Sequence, residues 1–473
     1  MFVAYCYKLK PSHKQTEKMT NWLNMLRANY NFSLRDRIEA YEQVRSPILG
    51  NYSRLDNQGL CCPLTCSVSK NATIGIPWKN NGKKRSAYEQ QSSNLPILKK
   101  ARPWYADIHS TVLQQNLKRL NKAFDSFFQG KGYPKYKRRS KFRSFCYPPG
   151  QVKVNNSSVY LPGIGWMGYF NSRLIPEGFK VRTVTIRRKA DGWYISLRLE
   201  DKTIPDVPKI ELSQVKNGIA GDLGIKKLIS LSDDTIIPNP KFFQKYERRK
   251  AIRARRASRK KKGSKNRAKA YQYLAKIDQK IVNEKGDYHW KIANQLCRKA
   301  EVLIFENLQI KNLLKKCQPK QDENGKYLKN GREAKKALSR LISDCAWGEL
   351  KLKIKSVADK LGLHFVEVDP KNSSRQCRKC GYIDKNNRKG ERFLCLNENC
   401  NHLEDSDVQA AKNLLNRGLK QLGISQSQLS VVRRKVTTTE ISSTLVDEPS
   451  NPKKNNQLLL FDFDLWSANL VID

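Results

Sequence analysis

Apolar residues recur at helical intervals over residues 14–46, where Met19, Trp22, Leu23, Leu26, Tyr30, Leu34, Ile38 and Tyr41 line one face of a long amphipathic helix. Residues 47–104 lack any sustained period and are rich in Asn, Ser, Gly, Pro and Lys. They predict an irregular insertion carrying Cys61, Cys62 and Cys66. From residue 109 a second helical stripe follows, through Leu113, Leu117, Leu120, Phe124, Phe127 and Phe128, and Gly130, Gly132 and Pro134 close it.

Between 146 and 212 the period changes to two. In VRTVTIRRKADGWYISLRLE, Val184 and Ile186 face Ile195, Leu197 and Leu199 across an Ala-Asp-Gly turn, which predicts a β-hairpin in a small barrel or sheet. The stretch GIAGDLGIKKLISLS at 218–232, VLIF at 302–305 and LHFVEV at 363–368 read as buried strands with helices between them, the order of an α/β sheet. One of those helices carries Trp347, Leu350, Ile354, Val357 and Leu361, with Ser343 and Asp344 as candidate caps and Gly362 as its stop. After about residue 430 periodicity fades into a tail expected to be flexible.

Charge changes the picture. Lys and Arg number 91 and Asp and Glu 43, a formal balance of +48, and this implies a polyanionic partner. Residues 248–269 alone hold 13 Lys or Arg and no acid, running into a helix marked by Leu274, Ile277, Ile281, Tyr288, Ile292 and Leu296. Within this arm Arg248, Arg249, Arg253, Arg255 and Arg256 are candidate nucleic-acid contacts; a solvated face or a coiled coil is the competing reading. A second basic stretch, Tyr133-Pro134-Lys135-Tyr136-Lys137-Arg138-Arg139, could stack bases and clamp phosphates, or be a linker with a packed Tyr. The basic residues form no single amphipathic anchor, no stretch approaches a membrane span, and the opening MFVAYCYKLK lacks an apolar signal core. No membrane partner and a cytoplasmic location are expected.

Two constellations carry chemistry. Cys377-Arg-Lys-Cys380 and Cys395-Leu-Asn-Glu-Asn-Cys400 offer four thiolates to a tetrahedral structural Zn²⁺, with His402 an alternative to Cys400. Three acids sit at element boundaries. Asp222 is flanked by Ala220, Gly221 and Gly224, small enough to admit a phosphate backbone; Glu306 ends an apolar strand; Asp407 opens a helix continuing through Ala411, Leu414, Gly418 and Leu422. Each has an ordinary alternative as a turn, strand-end or capping acid. Clustered, they would repel one another unless cations compensated them, and two Mg²⁺ ions would suit phosphodiester hydrolysis.

The chain resembles TnpB, the RuvC-like nuclease family of bacterial insertion sequences related to the type V CRISPR effectors. The likeness rests on LQQNLKRLNKAFDSFFQGKGYPKYKRR, IAGDLGIKKLISLS, EVLIFENL, ISDCAWGEL, VDPKNSSRQCRKCGY and DSDVQAAKNLL, in that order over most of residues 110–420. It implies a multidomain α/β plus α and β protein. Residues 213–372 and 404–430 would form an RNase H-like RuvC nuclease domain, including a basic helical arm at 241–300, and 373–403 a zinc-binding insert. Residues 13–145 would form a helical recognition lobe, and 1–12 with 146–212 an OB-like β-barrel wedge domain. The resemblance places catalytic carboxylates at Asp222, Glu306 and Asp407, with Mg²⁺ at those three and Zn²⁺ at Cys377, Cys380, Cys395 and Cys400. It implies a guide RNA from the element's end, a double-stranded DNA target beside a short flanking motif, and one protein per guide RNA. A miniature type V effector, a binding-only guided repressor and a strand-transfer enzyme are the alternatives. All three acids are present, which disfavours the repressor. The five histidines, at 13, 109, 289, 364 and 402, include no His-x-His pair, which disfavours strand transfer. The second cysteine pair is wider than the family's usual two-residue gap.

Overall fold

The computed structural model describes residues 2–45, 79–80, 83–84, 86–203, 205, 207–426 and 429, and the chain separates into two compact units at Ile204 and Pro205. Cys61, Cys62, Cys66 and the tail after 430 lie outside the described residues. Among the described residues no helix is long and apolar enough to cross a membrane.

In the first unit, β1 (Phe2–Lys10) buries Val3, Tyr5, Tyr7 and Leu9 on alternate positions. The 33-residue helix α1 (His13–Arg45) follows and buries Met19, Trp22, Leu23, Leu26, Tyr30 and Leu34, as its period requires. Two short helices, α2 (Ala87–Ser93) and α3 (Leu95–Ala101), occupy the end of the segment expected to be irregular. At seven residues each they are too short to show a period. Local chemistry makes them instead: Ser86 and Glu89 form a reciprocal capping box, and a Pro stands in the first turn of α3. Helix α4 (Ser110–Phe128) buries Val112, Leu113, Leu117 and Leu120.

Around these helices β1 joins β2 (Ser144–Tyr147), β3 (Lys153–Val154), β4 (Ser158–Leu161), β5 (Gly165–Tyr169), β6 (Lys180–Lys189) and β7 (Gly192–Glu200). The antiparallel order is β2-β6-β7-β1-β5-β4-β3. The hairpin pairs Val184 with Leu197 and Ile186 with Ile195, as the alternation predicts. The first strand of the chain therefore lies at the centre of this sheet.

The second unit is built on a five-stranded sheet. Strands β8 (Gly218–Leu223), β9 (Lys227–Leu231) and β10 (Ile236–Pro238) form an antiparallel meander, and β11 (Val302–Glu306) and β12 (His364–Val368) add in parallel, giving the order β10-β9-β8-β11-β12. All five residues of β11 are buried, the reason its first four, 302–305, are a continuous apolar run ahead of Glu306. Between β10 and β11 the chain forms a helical hairpin, α5 (Phe242–Ser258) and α6 (Lys265–Lys299), tied by Lys250–Asp278 at 2.6 Å and by Tyr246 donating to Glu284 at 2.5 Å.

Between β11 and β12, α7 (Arg332–Cys345) passes directly into α8 (Trp347–Leu361) through Ala346 at φ 49°. Ser343 and Asp344 therefore do not cap α8. Both Asp344 carboxylate oxygens accept from the Phe243 N–H and the group pairs with Lys285, so a tertiary contact has taken the side chain. Gly362 does stop α8, at φ 70°, and a Cβ there would lie 2.2 Å from the Pro208 carbonyl oxygen.

After β12 the chain makes a small three-stranded ribbon, β13 (Arg388–Lys389), β14 (Arg392–Leu394) and β15 (Leu403–Asp405), and returns to the sheet as α9 (Ser406–Leu422). Helix α9 packs on β8, β9, β11 and β12 through Leu414 and Leu419. At Gly418 the approach is so close that a Cβ would come within 2.5 Å of Ile304.

Candidate active site

Strands β8 and β11 pair in parallel register with Gly221 opposite Phe305, so the next residues, Asp222 and Glu306, leave the same ends of neighbouring strands on the same side. Glu306 is 6% exposed, and its Oε1 accepts from the Leu223 N–H at 3.2 Å. Asp407 stands in the first turn of α9, near enough for its charge to act on Asp222. The capping role belongs to its neighbour: Asp405 Oδ1 accepts from the N–H groups of Asp407 and Val408 at 2.9 and 3.2 Å. With the helix end satisfied by Asp405, the Asp407 carboxylate is left for the site.

The electrostatics register this convergence. The Asp222 pKa is pushed well above the ordinary carboxylate value, first by burial, then by a hydrogen bond with Glu306 and by the charges of Glu306 and Asp407. Glu306 and Asp407, both distant in sequence, thus act on Asp222.

The cationic side of the site was not visible in the sequence. Arg388, from the ribbon between the cysteine pairs, donates from Nη2 to Asp407 Oδ1 at 2.9 Å. Lys227 pairs with Asp405 at 2.8 Å and lies 3.9 Å from Asp407. Burial works against the Lys227 ammonium, but these acids hold its pKa above the ordinary lysine value. Neither residue stands out in a chain with 91 basic side chains; only the return of the ribbon onto α9 selects them.

The glycines beside Asp222 have another purpose than the expected phosphate approach. A Cβ on Gly221 would lie 2.6 Å from Phe305 and 2.8 Å from Ile229, and one on Gly224 would lie 2.6 Å from the Lys227 carbonyl oxygen. The space at both is filled by the protein itself. These positions are small so that the sheet can pack and the β8–β9 turn can close.

The four cysteines come together at the base of the ribbon. Cys377 and Cys400 sulfurs are 3.7 Å apart, Cys380 and Cys395 sulfurs 3.5 Å, and all four lie within 4.8 Å of one another. A tetrahedral zinc with bonds of about 2.3 Å separates its sulfurs by about 3.8 Å, so the set fits that ion. A hydrogen bond from the Tyr382 backbone first of all lowers the Cys380 thiol to about 7. His402 is turned away to Glu404 at 3.2 Å, leaving Cys400 as the fourth member of the set. The wider second gap is absorbed by a turn in which the Cys400 N–H donates to the Asn397 carbonyl.

The basic candidates are placed as follows. Lys135, Arg138 and Arg139 are exposed, whereas Lys137 is half-buried, with its N–H donating to Asn31 at 2.8 Å. Tyr133 packs edge-on against Phe127, and Tyr136 is exposed. In the helical hairpin Arg248, Arg249, Arg255 and Arg256 are exposed, and Arg253 lies over the Tyr273 ring.

Comparison with known proteins assigns the chain. Residues 197–317 match the OrfB family of IS605 elements, described as "Probable transposase", and residues 347–414 the Cas12f1-like TNB domain. The chain is 30% identical over 419 residues to the Escherichia coli K12 protein named "Putative RNA-guided DNA endonuclease InsQ", covering 88% of this chain and 92% of that one. The chain belongs to the TnpB family. A Streptomyces pristinaespiralis relative named "Putative RNA-guided DNA endonuclease" is 33% identical over 354 residues, covering 71% and 79%. The "TnpB-like protein L79" of Acanthamoeba polyphaga mimivirus is 23% identical over 248 residues, covering 50% and 44%. A helix-turn-helix family also matches residues 1–46 of this TnpB-family chain, where the structure has β1 and the single long helix α1.

Proposed function

We propose that this chain is an RNA-guided DNA endonuclease of a transposable element, acting in the bacterial cytosol. In this reading it hydrolyses target double-stranded DNA at a RuvC site after guide pairing and recognition of a short flanking motif. The convergence of Asp222, Glu306 and Asp407 carries the reading. A sheet ordered as an antiparallel meander with two parallel additions, with acids on its central strand, on the parallel strand beside it and on a helix packed across it, supports an RNase H-like assignment for 213–372 and 404–430.

The donor set is three carboxylates, the hard oxygen ligands that suit Mg²⁺. Bound there, magnesium supplies the positive charge that activates water and stabilises the oxygen leaving phosphorus. The remaining work falls to this chain's own groups. Glu306 is fixed by the Leu223 N–H, and Asp222 is held against it in a setting that disfavours two bare negative charges. Arg388 is partly exposed, and its guanidinium has donors beyond the one given to Asp407, enough to take a phosphate oxygen. Residues 373–403 become a zinc-held insert whose closed four-thiolate site leaves no position for substrate.

Residues 13–145 become the recognition lobe, and 1–12 with 146–212 the wedge, one protein holding one guide. The +48 balance supports binding an RNA scaffold and a heteroduplex by backbone contacts. Replacing Lys135, Lys137 and Arg138 together with Ala should lower nucleic-acid affinity and reduce the slope of log K against log salt by about 2. Filter binding across a salt series measures it, and an unchanged slope removes those residues from the interface. The reading as a whole is tested by sequencing RNA that copurifies with the chain from its native locus. A discrete transcript from the element's end is expected; bulk cellular RNA would contradict it.

A further inference from the structure

Three side chains at successive turns of α9, Gln409, Asn413 and Arg417, grip the segment that leads into the four-cysteine insert. Gln409 Nε2 donates to the Gln376 carbonyl at 2.9 Å, and Asn413 Nδ2 donates to the Ser373 and Gln376 carbonyls at 2.8 and 2.7 Å. Arg417 donates to the carbonyls of Asp369 and Lys371 at 2.9 and 2.7 Å and to Gln376 Oε1 at 2.8 Å. Gln409 is 0% and Asn413 5% exposed. Buried amides spent on another segment's backbone are costly to leave unpaired, so this seam is selective for one register of the insert.

The seam continues to the site. Asn387, 1% exposed, donates to the Arg375 carbonyl at 2.9 Å and accepts from the Leu396 N–H at 3.0 Å, and the next residue is Arg388. On the far side of the ribbon, Ser406 donates from Oγ to the Gly390 carbonyl at 3.1 Å and from its N–H to Glu391 at 2.9 Å. A closed path of hydrogen bonds and short covalent steps therefore runs from Arg417 through residues 369–376 to Asn387, along the chain to Arg388, and back to Asp407 on the same helix.

We propose that Gln409, Asn413, Arg417 and Asn387 are positioning residues that set Arg388 against the carboxylate centre, making the insert a docked half of the nuclease site. The proposal rests on the endonuclease reading for its consequence but not for its geometry. Arg417 lies ten residues along α9 from Asp407, about 15 Å at 1.5 Å per residue. An effect on chemistry from that distance must be transmitted.

The test uses the full chain with its copurified RNA and a matched DNA. Arg417→Ala should slow single-turnover cleavage about 10- to 100-fold, as loss of an orienting contact does, with target affinity and zinc content unchanged. Arg417→Lys should recover part of the rate. In an Arg388→Ala background Arg417→Ala should add less than about twofold, because both changes remove the same contribution. Additive losses in the double variant, or full activity in Arg417→Ala, would overturn the proposal. Should Arg417→Ala fail to fold, Asn413→Ser removes one grip and is judged by the same criteria. A second readout needs no cleavage: amide hydrogen exchange over residues 386–394 should quicken in Arg417→Ala, and unchanged exchange would contradict the seam. Wild-type protein that leaves matched DNA uncut while the exchange effect persists would count against the endonuclease reading alone.

Discussion

Asp222→Asn is expected to slow cleavage of guide-matched DNA by at least about a thousandfold, some 4 kcal/mol of transition-state stabilisation at 1.36 kcal/mol per decade. RNA and DNA binding should be retained. The substitution keeps the volume of the side chain and removes a charge that burial, Glu306 and Asp407 all disfavour. A carboxylate whose folded pKa is raised weakens the fold as pH rises through that range, so the uncharged amide should leave the melting temperature unchanged or raise it. Loss of cleavage in a protein at least as stable as wild type separates lost chemistry from lost folding. Cleavage by purified Asp222→Asn at the wild-type rate would remove this carboxylate from the mechanism.

Cys377→Ser should have the next largest effect. The insert has almost no core of its own: its buried apolar cluster is Cys377, Phe393 and Cys395, with Cys400 against it. A metal held by four thiolates contributes on the order of 10 kcal/mol in small zinc modules, far more than one Phe side chain can. The variant should lose bound zinc and become open to proteolysis between residues 373 and 403. Cleavage should fall at least about a hundredfold, because Arg388 departs with the ribbon. The seven-stranded unit should melt as before, since none of its described residues contributes to that cluster. Equal protease resistance with and without the thiolate would refute a metal-held insert.

The parts of the molecule legible in the sequence are those in which one residue type answers to one physical demand. Residues 302–305 of the buried strand β11 had to be continuously apolar, α1 had to repeat its apolar residues every three to four positions, and Cys377, Cys380, Cys395 and Cys400 stand at spacings that bring four thiols within reach of one another. Asp222, Glu306 and Asp407 could be singled out because each adjoins a buried element and stands in a block that resembles the TnpB family. Arg388 and Lys227 could not, because their roles arise only when the ribbon folds back, and basic residues are everywhere. Gly221 and Gly224 were legible as small but not as to why: Phe305, Ile229 and the Lys227 carbonyl fill that space from positions the sequence alone does not bring near. The cap went to Asp405 and not Asp407 because two N–H groups face the first of these acids. Helices α2 and α3 hid in a polar stretch because a capping box and a proline, rather than periodicity, define them.

The most direct test is a titration of the purified RNA-bound chain with Mn²⁺, read by electron paramagnetic resonance. A shared carboxylate centre predicts that wild type binds the ion and that Asp222→Asn, Glu306→Gln and Asp407→Asn each weaken the same binding event. Mn²⁺ binding indifferent to all three substitutions would contradict it.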